Sequence, residues 1–436
     1  MPTDTTVPGV YIEEDASPAM SVSAGATAVP LFVARFTPSD KKLAGVITRI
    51  GSWLDYTTLF DSNVPSSARV TVTSTPDDEK KYTYQINDTE VVDPTASVAL
   101  RLYFQNGGGP CYLYPLEKAD DKAKLAALPG LVDEVGAITL LACPDPDEVY
   151  RTAVYAALAD LLNKHKGYFL LADSSDSVVP SGVRSSSQVA VYYPNLVMPY
   201  TRTLGDKQVS ITGYTDGTGT TIATLADLRK ANADFAGDID KALAEKRDVP
   251  LSLLPSALMA GVYNKTDGER GVWKAPANVV LNGVSDVSVR VTNEQQAKLN
   301  PKGINVIRHF SDRGLVVWGS RTQQDDDDWR YIPVRRLFDA AERDIKKALQ
   351  PMVFEPNSQP TWKRVQAAID NYLHRLWQQG ALAGNKAEEA YFVRVGKGIT
   401  MTQDEINQGQ MILQVGMAAV RPAEFIILKF TQDMSQ

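Results

Sequence analysis

Cysteine and histidine are scarce in this chain: 436 residues hold two of the first and three of the second. Cys111 and Cys143 sit in apolar surroundings, which suits small buried thiols in a reducing compartment rather than a disulfide framework. His165, His309 and His374 form no HExxH pair and none lies near a cysteine at metal-ligand spacing, so no zinc site is predicted. No apolar run approaches the ~18 residues of a membrane span. The opening Met1-Pro2-Thr3-Asp4-Thr5-Thr6 lacks the basic and apolar regions of a signal peptide, so synthesis and folding in the cytoplasm are expected. A basic excess is missing as well: Lys plus Arg number 45 against 52 Asp plus Glu, a formal charge of -7, which speaks against nucleic acid as a partner.

Motifs for chemistry are equally sparse. Gly107-Gly108-Gly109 is followed by the strand-like Pro110-Cys111-Tyr112-Leu113-Tyr114 and by no Lys-Ser or Lys-Thr, so it reads as a tight turn and not a phosphate loop. Asp325 to Asp328 lack the spacing of a calcium loop and read as a solvated turn. There is no G-x-S-x-G, and Gly319-Ser320-Arg321 has no recognisable base beside it. No catalytic, cofactor-binding or metal residues are assigned, and no enzyme activity is expected.

What the chain does have is ordinary globular material, with 44% hydrophobic and 22% charged residues. The predicted fold class is α/β: a discontinuous body of mixed sheet flanked by helices, carrying two smaller inserted regions and extended terminal strand arms. Val29 to Phe36 reads as a buried strand and Ser52 to Phe60 as a short helix. Ala137 to Ala142, a helix over Asp147 to Lys164, Tyr168 to Ala172 and Gln188 to Tyr193 follow in the order of parallel strands buried on both faces. Residues 62–94 alternate polar and apolar as a small exposed β insert, and 201–250, rich in Gly, Thr and Asp before a charged helical stretch, read as a second insert. The body is thus 28–61, 95–200 and 251–330. Residues 331–420 make a C-terminal domain with two amphipathic helices, over Val334 to Leu349 and from Thr361 to Gly380, above strands at Ala390 to Val395 and Met411 to Val420. On the first helix Asp339 with Arg343, and Glu342 with Lys346, are spaced to pair on an outer face.

Both ends stand apart from this body. Val7 to Glu14 is a short apolar strand joined through a tether of small residues, Ala16 to Thr27, and Glu424 to Thr431 is another, set off by Pro422. A bare strand exposes unpaired N–H and C=O groups and must be covered or used. Donation to a neighbour's sheet is one use, and Val10, Tyr11, Ile12 and Glu13 at one end, with Phe425, Ile426, Ile427, Leu428 and Phe430 at the other, are the candidate pairing residues.

The stretch from Ala260 to Asn278, AGVYNKTDGERGVWKAPAN, closely resembles the signature of contractile tail sheath proteins. Asn106 to Tyr112, Leu299 to Asn305, Gly314 to Thr322 and Val420 to Phe425 are similar to the same family in order, as is Pro8 to Glu14, so the resemblance covers nearly everything outside the two inserts. It implies a sheath subunit of a phage tail or phage-tail-like injection machine, wound helically around an inner tube, contracting to drive that tube through a target envelope, and linked to its neighbours by exchanged terminal strands. Implied partners are other copies of the chain, the inner tube protein, and baseplate and terminal cap proteins. No nucleic acid, membrane insertion or cofactor is implied. The implied setting is a phage tail or released extracellular particle. The family's tube contact matches Thr402, Asp404, Glu405 and Gln408, a segment that also reads as a simple capped helix, Thr402 followed by Glu405. Two other readings stay open here: an α/β enzyme with a ligand site at its strand ends, and a non-contractile baseplate or tail component.

Overall fold

Alternate residues of single strands feed two separate cores, which is how short apolar runs build the centre of this protein. In the strand Pro30–Ala34, Phe32 joins Tyr103, Leu140, Phe169 and Tyr192 on one face, while Leu31 and Val33 join Tyr114, Leu128, Tyr150 and Val154 on the other. A computed structural model describes residues 20–77, 81–118, 120–163, 166–216 and 218–427. The chain divides into a larger unit, 26–339 with residues from 421 onward, and a smaller unit, 340–420 with residues up to 25.

The larger unit carries an eight-stranded sheet. Its order is Gly314–Trp318, Ile304–Phe310, Val189–Tyr193, Phe169–Asp173, Leu140–Ala142, Pro30–Ala34, Cys111–Pro115 and Thr48–Ile50. The interior pairs are all parallel, and an antiparallel strand closes each edge. The helices Thr95–Gln105 and Ser256–Arg270 cover one face, and Lys122–Val135 and Glu148–Leu158 the other. The first two helices pack at backbone contact because Gly261 faces Tyr103, where a Cβ would stand 2.5 Å from the Tyr103 carbonyl oxygen. Gly107, at φ 94°, then turns the chain directly beneath Lys265. The glycine run is therefore a turn under the signature helix, as its sequence indicates.

The polar stretches read as two inserts share one sheet. The hairpin Ser67–Pro76 with Tyr82–Val92 pairs in parallel with Val209–Thr212, and the helices Leu225–Ala231 and Ala233–Arg247 close over it around Val72, Ile211, Tyr214, Leu228 and Phe235. Asp93 and Arg202, at the two entry points, form a buried bidentate pair at 2.7 Å, and the same guanidinium donates to the carbonyls of Lys246 and Val249. Polar alternation in sequence marks a half-exposed strand, but the partner strand lies over a hundred residues away and leaves no local trace.

On the helix Ile332–Leu349 the expected outer face does not hold for Asp339. Asp339 is buried, with the Arg335 Nε and Gln188 Nε2 donating to it at 3.0 and 3.1 Å, and the Arg335 guanidinium lies 4.2 Å over the Trp329 ring. The helix start is surrounded, so a polar residue there needs an internal partner.

In the smaller unit the helix Gln359–Gln378 buries Val365, Ile369, Tyr372 and Leu373 and packs on a two-stranded antiparallel sheet, Tyr391–Val395 with Leu413–Met417. The predicted tether is anchored over its described part. Val22 is buried and its carbonyl accepts from Arg375 Nη2 at 2.5 Å, while Gly25 N donates to Asp344 at 3.0 Å. Val22 and Gly25 thus hold the tether at two points, while Ser21, Ser23, Ala24 and Ala26 between and beside them are exposed.

Candidate functional site

The segments that carry the family resemblance meet at the roots of the two arms. Arg321 lies in one of them, Asn300 in a second and Glu424 in a third. Arg321 grips the Glu424 carboxylate with Nη2 at 2.7 Å and Nε at 3.0 Å, Asn300 Nδ2 donates to it at 2.7 Å, and Tyr331 Oη at 3.3 Å. Burial pushes the Glu424 pKa up, but these donors and the Arg321 charge outweigh it and hold the carboxyl below the usual glutamate range. Immediately beyond the clamp, Phe425, Ile426 and Ile427 are 70%, 81% and 79% exposed and belong to no strand of the described chain. An exposed apolar ribbon leaving a fixed point is a poor monomer surface. Leu428 and Phe430, like Val10, Tyr11, Ile12 and Glu13, lie outside the described residues.

On the amino-terminal side the signature helix holds the chain where it enters the body. Asp267 accepts from Arg336 at 2.5 Å and from the Thr27 hydroxyl at 2.5 Å, Arg336 also donates to the Thr27 carbonyl, and Asn264 donates to the Ala28 carbonyl at 2.9 Å. Arg336 lies 4.6 Å over the ring of Tyr263, whose hydroxyl meets that of Tyr192 at 2.8 Å. These anchoring roles are invisible to composition. The matched segments were their only signal, since Arg321 and Glu424 stand far apart in the chain.

The smaller unit offers the complementary feature. Its two-stranded sheet has no third strand among the described residues, and the Val393 carbonyl accepts from Gln366 Nε2 at 2.9 Å. Thr402, Asp404, Glu405 and Gln408 lie on and beside the five-residue helix Gln403–Asn407. Thr402 N donates to Glu405 Oε2 at 2.7 Å and Glu405 N to Thr402 Oγ1 at 3.3 Å, a reciprocal cap that holds the Glu405 carboxyl below its usual range. Asp404 and Gln408 point to solvent.

Reactive groups do not converge. Both cysteines are buried free thiols, and burial raises their pKa values, which makes them poor nucleophiles. Among the described residues no group of three His, Cys, Asp or Glu side chains is arranged to hold a metal ion, and no helix is long and apolar enough to cross a membrane. Arg330 pairs with Asp325 at 2.7 Å, and Asp326 caps the Trp329 amide at 2.6 Å, which turns the acidic run into a structured loop.

Fixed arm roots, an exposed apolar ribbon and a two-stranded sheet fit a structural building block. The phage tail sheath protein central domain matches residues 195–323 and the phage tail sheath C-terminal domain residues 324–433; the chain belongs to the phage tail sheath family. It is a structural sheath subunit of a contractile injection system, as its likeness to solved assemblies bears out. A chain of the anti-feeding prophage helical sheath in its contracted state is 72% identical, with 98% of this chain and all of that one covered and a TM-score of 0.76. A chain of an extracellular contractile injection system, the PVC sheath complex in its contracted state, is 38% identical over 99% of both chains, TM-score 0.70. Among curated proteins, the tail sheath protein of Vibrio phage KVP40 is 28% identical over 35% of this chain and 22% of its own length. A prophage major tail sheath protein described as putative in Pseudomonas aeruginosa is 24% identical over 39% of this chain and 43% of its own. The chain thus spans less than half the length of those two relatives.

Proposed function

We propose that this chain polymerises helically around an inner tube and contracts to drive that tube through a target envelope, each subunit bonded to its neighbours by exchanged terminal strands. The carrying observation is the exposed ribbon: Phe425 to Ile427 leave the Arg321–Glu424 clamp in no strand, while the 391–395 and 413–417 strands form a sheet with no third strand among the described residues. Two strands alone are marginal in water, and added strands stabilise them. Burying each of the three exposed side chains contributes about 1.5–3 kcal/mol. A head-to-tail contact of this kind does not close and grows a helix. Contraction needs no nucleotide and no catalytic residue in this reading, because lattices that bury more surface are favoured and the gain adds over many copies.

The setting is a phage tail or released extracellular particle, with baseplate and terminal cap proteins at its ends. Chains of the anti-feeding prophage contracted helical sheath and of its baseplate are both 72% identical, which supports a sheath subunit that also meets the baseplate. The joined insert around Val72 and Phe235 faces outward, and Thr402, Asp404, Glu405 and Gln408 face the tube.

Deleting residues 425–436 tests the reading. The truncated chain should stay folded, with an unchanged melting temperature, and fail to form pelletable polymer under conditions where the full chain polymerises. Polymer of normal length from the truncated chain would overturn it.

A further inference from the structure

The loop between the two helices of the smaller unit carries a fully exposed phenyl ring. Val353 is 61% exposed and Phe354 is as exposed as an isolated residue, at φ 73°, a left-handed backbone that bulky side chains seldom adopt. The loop is nonetheless ordered by its own backbone: Val353 N donates to Gln350 O and Glu355 N to Met352 O. Strained backbone persists where the surroundings fix it, and it clusters at contact sites. Glu355, next in sequence, is exposed and has no cationic partner among the described residues. The result is a knob with an apolar tip and an acidic flank.

The larger unit holds a cavity of the opposite kind. It is a pocket of about 240 Å³, open to solvent at its mouth and walled by Val178, Tyr193, Val289, Val291 and Leu299 together with Ser177 and Gln295. An apolar cavity of about 150 Å³ accommodates a benzene ring, so a phenyl group fits. Val178 and Val289 are 50% and 40% exposed at its mouth. Lys298 and Lys302, one helical turn apart, stand on its rim with no carboxylate partner among the described residues. Burial, and then the nearby Asp176 carboxylate, push up the pKa of the Tyr193 hydroxyl, and Asp176 sets one negative charge against those two.

We propose that Phe354 of one copy seats in the Tyr193–Leu299 cavity of a second copy, with Glu355 paired to Lys298 and Lys302. Size and charge sign agree on both sides, and a knob in one unit that fits a hole in the other unit of a second copy is a head-to-tail contact that propagates. The contact rests on the lattice reading above but is independent of the terminal strands. The seated ring closes that pocket to water, an arrangement in which a few residues dominate an interface.

The test is polymerisation of the purified full chain, read as pelletable polymer against concentration. Phe354→Ala should raise the concentration needed by about tenfold, the effect of a single interface anchor. Lys298→Glu with Lys302→Glu should impair assembly similarly, and adding Glu355→Lys to that pair should restore it. Melting temperatures of the unassembled variants should match the parent, because each substituted side chain is exposed. Parental assembly by Phe354→Ala, or no rescue by the charge exchange, overturns the contact. Failure of the parent chain itself to polymerise would instead overturn the lattice reading.

Discussion

Arg321 and Glu424 form a bidentate ion pair across 103 positions of sequence, at 2.7 and 3.0 Å, with side chains only 13% and 21% exposed. This pair decides where the carboxy-terminal arm begins. Arg321→Ala leaves a carboxylate in a half-closed site and should cost about 1–3 kcal/mol. The predicted signature is faster proteolysis beyond residue 420, seen by mass spectrometry of a limited digest. The pair also fixes a pH dependence. Its folded-state carboxyl titrates below the unfolded value of about 4.3, so its stabilisation is complete above that pH and is lost as pH falls through the folded value. Glu424→Gln should remove that part of the acid sensitivity.

Asp173 should behave in the opposite sense. It is fully buried at the carboxyl end of its strand, accepts from Ser256 N at 2.7 Å, and burial pushes its pKa up to about 7. The folded chain then holds a proton that the unfolded chain has already lost above about pH 4, so this group costs stability progressively as pH rises from there to about 7. Asp173→Asn should melt increasingly above the parent as pH is raised through that window. A constant difference between the two melting temperatures would contradict the assignment.

The Asp267–Arg336 pair is buried on both sides, with side chains 6% and 3% exposed. Removing either partner strands a charge and should cost about 3–5 kcal/mol. Arg336→Met should therefore fold poorly, whereas Arg336→Met with Asp267→Leu should recover much of the loss. Thermal unfolding of the three variants provides the check.

Residues Thr402, Asp404 and Gln408 separate packing from tube contact. Thr402→Ala removes a cap and should fray the 403–407 helix, visible as faster amide exchange there. Asp404→Ala with Gln408→Ala touches no hydrogen-bonded side chain of the cap and should leave exchange unchanged. If the segment faces the tube, only co-sedimentation with tube protein should fall in the second variant.

The body of the fold was legible because its strands are apolar runs and its helices strongly periodic: Pro30–Ala34, Phe169–Asp173, Val189–Tyr193 and Gln359–Gln378 lie where spacing puts them. The Thr402–Glu405 cap could also be read locally. Long-range partners could not. Nothing near Asp93 points to Arg202, and helical spacing placed Asp339 outside although Gln188 and Arg335 enclose it. The small residues before Thr27 read as a tether, and the described ones are exposed, but sequence did not show the two backbone anchors that hold Val22 to Arg375 and Gly25 to Asp344. At the arms, sequence supplied the ribbon of Phe425 to Ile427, and folding supplied the Arg321 clamp that aims it.

A helical reconstruction of the assembled sheath, at a resolution that traces main chain, examines strand exchange most directly. Residues 425–430 of one subunit should lie hydrogen-bonded beside the 391–395 and 413–417 sheet of another. Density showing those residues folded against their own subunit, with that sheet left two-stranded, would contradict the account.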